Sequence, residues 1–168
     1  MDSLSIHPAT RDDVPALLSL IRGLAAYEKK PHAVVATEED LARDAFGPHP
    51  KFRALIAAWK GEPAGYASFF NFYSTYHGRS ALFLEDLFVL DKCRGNAIGM
   101  ALLSAVAKLA VEEGCFGLRW EVLDWNHPAI EFYKKLGATF LNERKVVAFD
   151  ENAIRRVAGV EKFSTKSL

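Results

Sequence analysis

The sequence predicts a single mixed α/β (α+β) domain: a mixed, mostly antiparallel central sheet flanked by helices. Three observations carry this. Helical and strand-like segments interleave along the chain instead of grouping into separate runs. The stretch from residue 52 to residue 90 reads as a three-stranded antiparallel meander rich in aromatics. The chain has 168 residues, half of them hydrophobic and 12% aromatic, enough for one domain with a substantial core.

Composition narrows the function. Lys+Arg and Asp+Glu both number 21, so the net charge is zero and no basic stripe marks a nucleic-acid partner. No apolar run reaches the ~18 residues of a membrane span, so no membrane partner is expected. Residues 1–11 carry Asp2, His7 and Arg11 and lack the apolar stretch of a signal peptide. Cys93 and Cys115 form neither a disulfide framework nor a Cys-x-x-Cys pair, so a reducing cytoplasmic setting is expected. The histidines are scattered without ligand spacing, and no metal site is expected.

Each element has a local cause. Leu4 and Ile6 alternate with polar neighbours as a short strand, broken at Pro8. Thr10 or Asp12 then caps a helix whose apolar face is Val14, Leu17, Leu18, Ile21, Leu24 and Ala25, running to about Tyr27. Thr37 opens a shorter helix that Gly47-Pro48 stops. Phe52 to Trp59, Ala64 to Tyr73 and Ala81 to Leu90 form the meander, turning at Lys60-Gly61-Glu62 and around Gly78. A helix from about Gly99 to Glu113 buries Leu102, Leu103, Val106, Leu109 and Ala110, and Gly114 ends it. Gly117 to Leu123 is a strand, and Ala129 to Leu136 a helix closed by Gly137. Thr139 to Leu141 and Val146 to Phe149 are expected as final strands, and Asn152 to Ala158 as a last helix. Residues 1–160 make up the domain, and residues 161–168 a polar tail.

The chemistry concentrates in Leu84-Glu85-Asp86-Leu87-Phe88-Val89 and the subsequent loop Arg94-Gly95-Asn96-Ala97-Ile98-Gly99. A glycine-bearing loop at a helix N-terminus offers free backbone N–H groups and the positive end of the helix dipole. Both suit a pyrophosphate. Glycines placed only for turn geometry explain the same loop. Neither Gly-x-Gly-x-x-Gly nor Gly-x4-Gly-Lys-Ser/Thr is present.

Arg-x-x-Gly/Ala-x-Gly, after a Leu-Glu-Asp strand and before an amphipathic helix, resembles the GNAT superfamily of N-acetyltransferases. A second match lies downstream in Asn126-His127-Pro128-Ala129-Ile130-Glu131-Phe132-Tyr133, continuing to Gly137-Ala138. The pair is far more specific than either segment alone. The resemblance covers nearly the whole chain and is strongest to the diamine (spermidine/spermine) and thialysine acetyltransferase branch. It draws on Leu24-Ala25-Ala26-Tyr27-Glu28, Asp44-Ala45-Phe46-Gly47-Pro48, Tyr73-Ser74-Thr75-Tyr76 and Leu123-Asp124-Trp125-Asn126. Two departures stand out. Ala97 occupies a position that is usually glycine in the family. The segment after Ala138 is short and lacks the branch's substrate-packing tryptophan.

The resemblance implies acetyl transfer from acetyl-CoA to a primary amine by direct attack in a ternary complex. It implies acetyl-CoA bound by the backbone of Leu87, Phe88 and Val89, by the loop Arg94, Gly95, Asn96, Ala97, Ile98, Gly99 and Met100, and by Asn126. From local sequence, Asn126 is equally an N-cap before Pro128. Tyr133 is the candidate general acid for the departing thiolate, although its spacing also fits an apolar helix face. Glu85 and Asp86 stand side by side on an otherwise apolar strand. They serve either a structural salt bridge or recognition of a cationic amine, with Glu85 also a base acting through water. Tyr27 and Glu28 join them as substrate-binding candidates. Residues 1–50 carry five basic against eight acidic groups, an excess on the side expected to receive a cation. A small cationic amine is the favoured acceptor. A protein or peptide amine, or a non-catalytic acyl-CoA-binding module, are the alternatives. The branch also implies a homodimer.

Overall fold

The computed structural model describes residues 3–160, and the expected polar tail lies outside the described residues. The chain divides into two compact units, residues 1–121 and 122–168.

The first unit is built on a five-stranded sheet. Its strands are β1 (Leu4–Pro8), β2 (Arg53–Trp59), β3 (Glu62–Ser74), β4 (Arg79–Val89) and β5 (Leu118–Trp120), in spatial order β1-β2-β3-β4-β5. The first three pairings are antiparallel and β4–β5 is parallel, which makes the sheet mixed as expected. Thr10 caps the chain's first helical turn. Its backbone N–H and hydroxyl both donate to the Asp13 carboxylate at 2.8 Å. Helix α1 (Val14–Tyr27) begins directly after Asp13. Thr37 and Asp40 form a reciprocal capping box at the start of α2 (Glu38–Phe46).

One face of the sheet is covered by α1 and α2. There Val14, Leu17, Leu18, Leu20 and Leu41 pack on Ala54, Ile56, Tyr66 and Phe88. The opposite face, carrying Leu55, Ala57, Ala67, Phe69, Leu82 and Leu84, takes α3 (Ile98–Glu112). α3 buries Ile98, Leu102, Leu103, Val106 and Ala110, four of them as the 3.6-residue period predicts from Leu102 onward. Among the described residues no helix is long and apolar enough to cross a membrane.

Two irregularities shape the sheet. Ser68 pairs with Asp86 but Phe69 pairs with Leu84, so Glu85 is an extra residue bulged out of β4. A bulge re-aims its strand and raises the local twist. The β4–β5 ladder stops one residue earlier in the chain, at the Leu84–Trp120 rung. The strand expected to reach Leu123 therefore ends at Trp120. Apolar alternation continues past that point, but β4 no longer offers it a ladder.

The second unit holds α4 (His127–Lys135) and α5 (Glu151–Val157). Gly137, at φ +79°, closes α4 in the left-handed conformation, with backbone bonds from Gly137 to Lys134 and from Ala138 to Tyr133. The two expected final strands are not formed. Thr139 to Leu141 and Val146 to Phe149 carry no ladder, and Val146, Val147 and Phe149 are exposed. A strand needs a neighbouring edge for its N–H and C=O groups, and alternation in sequence does not supply one. Among the described residues nothing pairs with these segments.

Two substitutions test the packing and the backbone. A Cβ on Gly65 would lie 2.5 Å from the Phe88 carbonyl oxygen. Because the obstacle is backbone, Gly65→Ala should destabilise by about 2 kcal/mol or more, read by urea unfolding. Ala97 stands at φ +56° and ψ +13°, left-handed territory that costs a non-glycine residue about 1–2 kcal/mol. Ala97→Gly should raise the unfolding midpoint, with a net gain of roughly 0.5–1 kcal/mol after the added freedom of the unfolded chain.

Candidate active site

The site in the first unit begins where β4 and β5 part. Beyond Leu84 the backbone of β4 stays paired to β3 on one side, through Ala67–Leu87, Tyr66–Phe88 and Gly65–Val89. On the other side, Leu87 to Val89 have no ladder neighbour among the described residues. A strand edge of this kind can hydrogen-bond an extended, amide-bearing ligand. The Phe88 side chain belongs to the core. It is 5% exposed, and its ring meets Tyr66 edge-on at 6.5 Å.

The chain then passes through a short turn, Asp91–Cys93, to Arg94 and the start of α3. Arg94 is held in place three ways. Its Nε donates to the Val89 carbonyl at 3.2 Å, its guanidinium pairs with Asp91 at 2.8 Å, and it lies 4.4 Å above the Tyr27 ring. Asn96 steadies the loop by donating to the carbonyls of Cys93 and Arg94. Gly95, at φ +81°, and Ala97 both adopt the left-handed conformation. Ala97 is the N-cap and no side chain caps α3. Ala, unlike Ser, Thr, Asn or Asp, has no oxygen to receive the first helical N–H groups. The N–H groups of Ile98, Gly99 and Met100 thus begin the helix without a side-chain acceptor, at the positive end of its dipole. This is the arrangement that receives phosphate oxygens. The loop and the open edge together suit a ligand with a diphosphate at one end and amides along its arm, which is the build of coenzyme A.

The acidic candidates gather around a residue that sequence reasoning missed. Tyr66, on β3, is fully buried, and its hydroxyl has no hydrogen-bond partner. Burial, and after it the carboxylates of Asp86, Glu28 and Glu85, push the pKa of that hydroxyl well up, so it stays protonated. Glu28 caps the C-terminal end of α1, directly after Tyr27. Ser68, directly across the ladder from Asp86, donates its hydroxyl to the Asp86 carboxylate at 2.7 Å. Burial raises the Asp86 pKa, and the hydroxyls of Ser68 and Tyr66 pull against that rise. Glu85 is more exposed, yet its pKa is also raised, first by partial burial and then by the charges of Asp86 and Glu121. Glu121 was not anticipated either, although it comes directly after Trp120, the residue paired with Leu84. None of Glu28, Glu85 or Asp86 forms an ion pair among the described residues, so the structural salt bridge considered for Glu85 and Asp86 is not made. No group of three His, Cys, Asp or Glu side chains among them converges closely enough to hold a metal ion.

The remaining candidates lie in the second unit. Asn126 does act as an N-cap, its side-chain oxygen accepting from the Ala129 N–H at 3.4 Å. Tyr133 is the buried residue of α4, its ring 5.3 Å from that of Phe132. Burial raises its pKa, which keeps the phenol protonated and able to donate.

Comparison with known proteins identifies the family and the fold. The acetyltransferase (GNAT) family matches residues 17–138. Thialysine N-epsilon-acetyltransferase of Sus scrofa is 39% identical over 170 aligned residues, covering 95% of this chain and 99% of the relative. An integron cassette protein from the mobile metagenome of V. cholerae superposes with a TM-score of 0.79 at 25% identity, covering 93% of this chain and 98% of the other. An aminoglycoside N-acetyltransferase solved in complex with CoA shares the fold, with a TM-score of 0.70 at 16% identity over 90% of this chain and 96% of the other. Breadth of coverage and continuous similarity from the first helix through the α4 motif settle the assignment: this chain is an N-acetyltransferase of the GNAT family.

Proposed function

We propose that the enzyme transfers an acetyl group from acetyl-CoA to the primary amine of a small cationic acceptor, such as a polyamine or thialysine. The observation that carries this is the set of three carboxylates, Glu28, Glu85 and Asp86, that form no ion pair among the described residues and act together on the Tyr66 hydroxyl near the open edge of β4. An acidic pocket of that kind favours an ammonium, and the similarity to a thialysine acetyltransferase points the same way.

Acetyl-CoA supplies the thioester that is cleaved. In this proposal its diphosphate lies on the N–H groups from Gly95 to Met100, with Arg94 and Asn96 shaping the loop. Its arm runs along Leu87, Phe88 and Val89, and the motif match makes Asn126 a cofactor-binding residue as well as the cap of α4. A backbone N–H on the open edge steadies the charge that develops on the thioester oxygen. Tyr27, Glu28, Glu85 and Asp86 hold the acceptor.

The acceptor must lose a proton before its nitrogen can attack. A free alkylammonium titrates near pH ~10, and an acidic pocket makes its proton harder to remove. Glu85 resolves the conflict. Its raised pKa increases its affinity for a proton, so it takes that proton through water. Tyr133 donates from its phenolic oxygen to the departing sulfur. The protein works as a homodimer in the cytoplasm, and it needs neither metal nor nucleic acid.

The decisive experiment is CoA-thiol release over a panel of diamines, thialysine, amino acids and peptides. Diamines or thialysine should give the highest kcat/KM. Preference for a peptide would move the enzyme to the protein-acetylating class. Tight acetyl-CoA binding without any transfer would make it a non-catalytic binding module. Tyr133→Phe should lower kcat by about a hundredfold and leave acetyl-CoA affinity, measured by calorimetry, within about twofold. Glu85→Gln should cost about ten- to a hundredfold in kcat/KM for the amine and flatten the acidic limb of its pH profile. An unaltered limb would remove Glu85 from the base role. Light scattering should give twice the 18.7 kDa chain mass.

A further inference from the structure

The Tyr66 hydroxyl stands out in the buried part of the first unit. Its side chain is 0% exposed, and its oxygen has no partner. Leaving a buried hydroxyl unpaired is costly, and such groups call for an explanation in function. Two residues along β3, on the same face of the strand, Ser68 also carries a hydroxyl, and it is the only buried polar residue of the described core. Ser68 faces Asp86 across the antiparallel ladder and donates to it at 2.7 Å. Tyr66 faces Phe88, one same-face position further along β4, and acts on the same Asp86 carboxylate.

One hydroxyl is therefore bonded to the Asp86 carboxylate, and a second, unpaired one acts on it from the adjacent same-face position of β3. They have no acidic competitor for the role, because both stay neutral. Glu28 from the end of α1 and Glu85 from β4 act on the same Tyr66 hydroxyl, Glu121 from the end of β5 acts on Glu85, and the Arg94 guanidinium lies over the Tyr27 ring and on the Val89 carbonyl. The anion on Asp86 is thus opposed by burial and supported by the hydroxyls of Ser68 and Tyr66.

We propose that Tyr66 and Ser68 are positioning residues for acceptor binding, forming a two-hydroxyl cradle that holds the Asp86 carboxylate as a hydrogen-bonded anion facing the acceptor's ammonium. Ser68 makes its bond in the free enzyme. Tyr66 acts on the same carboxylate and completes the cradle as Asp86 ionises, before any acceptor is bound. This builds on the amine-acceptor reading above and adds what keeps that acceptor group charged. The acceptor it selects is one whose cation remains protonated at the pH where Asp86 is ionised, as aliphatic diamines do.

The sign is fixed by the donors. Hydrogen bonds to the charged form of an acid lower its pKa, and here they offset part of the rise caused by burial. Removing a donor lets Asp86 hold its proton to higher pH. The test is a carboxyl-carbon NMR titration of the full-length protein without substrates, with the Asp86 signal assigned through Asp86→Asn. Tyr66→Phe and Ser68→Ala should each raise the Asp86 midpoint by about one pH unit, and Ser68→Thr should restore it. In steady state with 1,4-diaminobutane, both variants should lose activity at correspondingly higher pH through KM. At the acidic end the loss should be about tenfold for a one-unit shift. The kcat/KM profile for acetyl-CoA should keep its wild-type form.

An unmoved midpoint in folded variants overturns the cradle. A moved midpoint with an unmoved amine KM profile overturns its role in acceptor binding. If Tyr66→Phe fails to fold, the Ser68→Ala and Ser68→Thr pair carries the same decision. If the wild-type protein acetylates no amine, the acceptor reading falls on the turnover assay, and the substrate-free titration still judges the cradle separately.

Discussion

The parting of β4 from β5 after the Leu84–Trp120 rung is the constraint on which the rest of the first unit depends. A strand that kept its neighbour would have no free edge at Leu87 to Val89 and no opening in the sheet. The bulge at Glu85 sits at that parting and sets the register of β4 from Asp86 to Val89. On one side of it, residues up to Leu84 are ordinary core. On the other, each residue has a second task beside packing. Glu85 and Asp86 bring charge to the opening, and Leu87 to Val89 expose backbone. The chain then turns once and begins α3 with its N–H groups uncapped. A carboxylate pair, an open strand edge and an uncapped helix start thereby follow one another along a single stretch of chain, one strand end and one helix start.

Most of this was legible in the sequence because it rests on local causes. The apolar period from Val14 to Ala25 fixes α1, and the Thr37–Asp40 capping box fixes the start of α2. The loop before α3 declared itself through Arg94, Gly95 and Gly99. The conformation of Ala97 was not legible, because nothing in an alanine signals φ +56°. The end of β5 was overestimated for a related reason: Glu121 to Leu123 continue a plausible strand pattern, but pairing is decided by the neighbour. The same holds more strongly for Thr139 to Leu141 and Val146 to Phe149. Their composition suits a strand, and among the described residues they have no edge to join.

In the candidate site, the charged residues were visible and their supports were not. Glu28, Glu85 and Asp86 are conspicuous in a sequence because charge on an apolar strand or at a helix C-terminus is locally unfavourable. Tyr66 and Ser68 are unremarkable members of an aromatic strand until the register puts Ser68 opposite Asp86. The zero net charge of the chain likewise hides a division of labour. Arg94 and the α3 start favour an anion, while the three carboxylates favour a cation, and the sum conceals both.

The cation–π contact between Arg94 and Tyr27 joins those two regions through one side chain. The guanidinium also touches the Val89 carbonyl and Asp91, so it belongs to the loop and to the end of α1 at once. Any ligand whose binding shifts Arg94 alters the surface that Tyr27 presents beside Glu28. Thermodynamic reciprocity then requires that a ligand held at Tyr27 alter the loop's affinity by the same factor. The strength with which a ligand on the loop and a ligand at Tyr27 help or hinder each other is in this sense carried by a single stacked pair, and it can be retuned at that pair without altering the sheet.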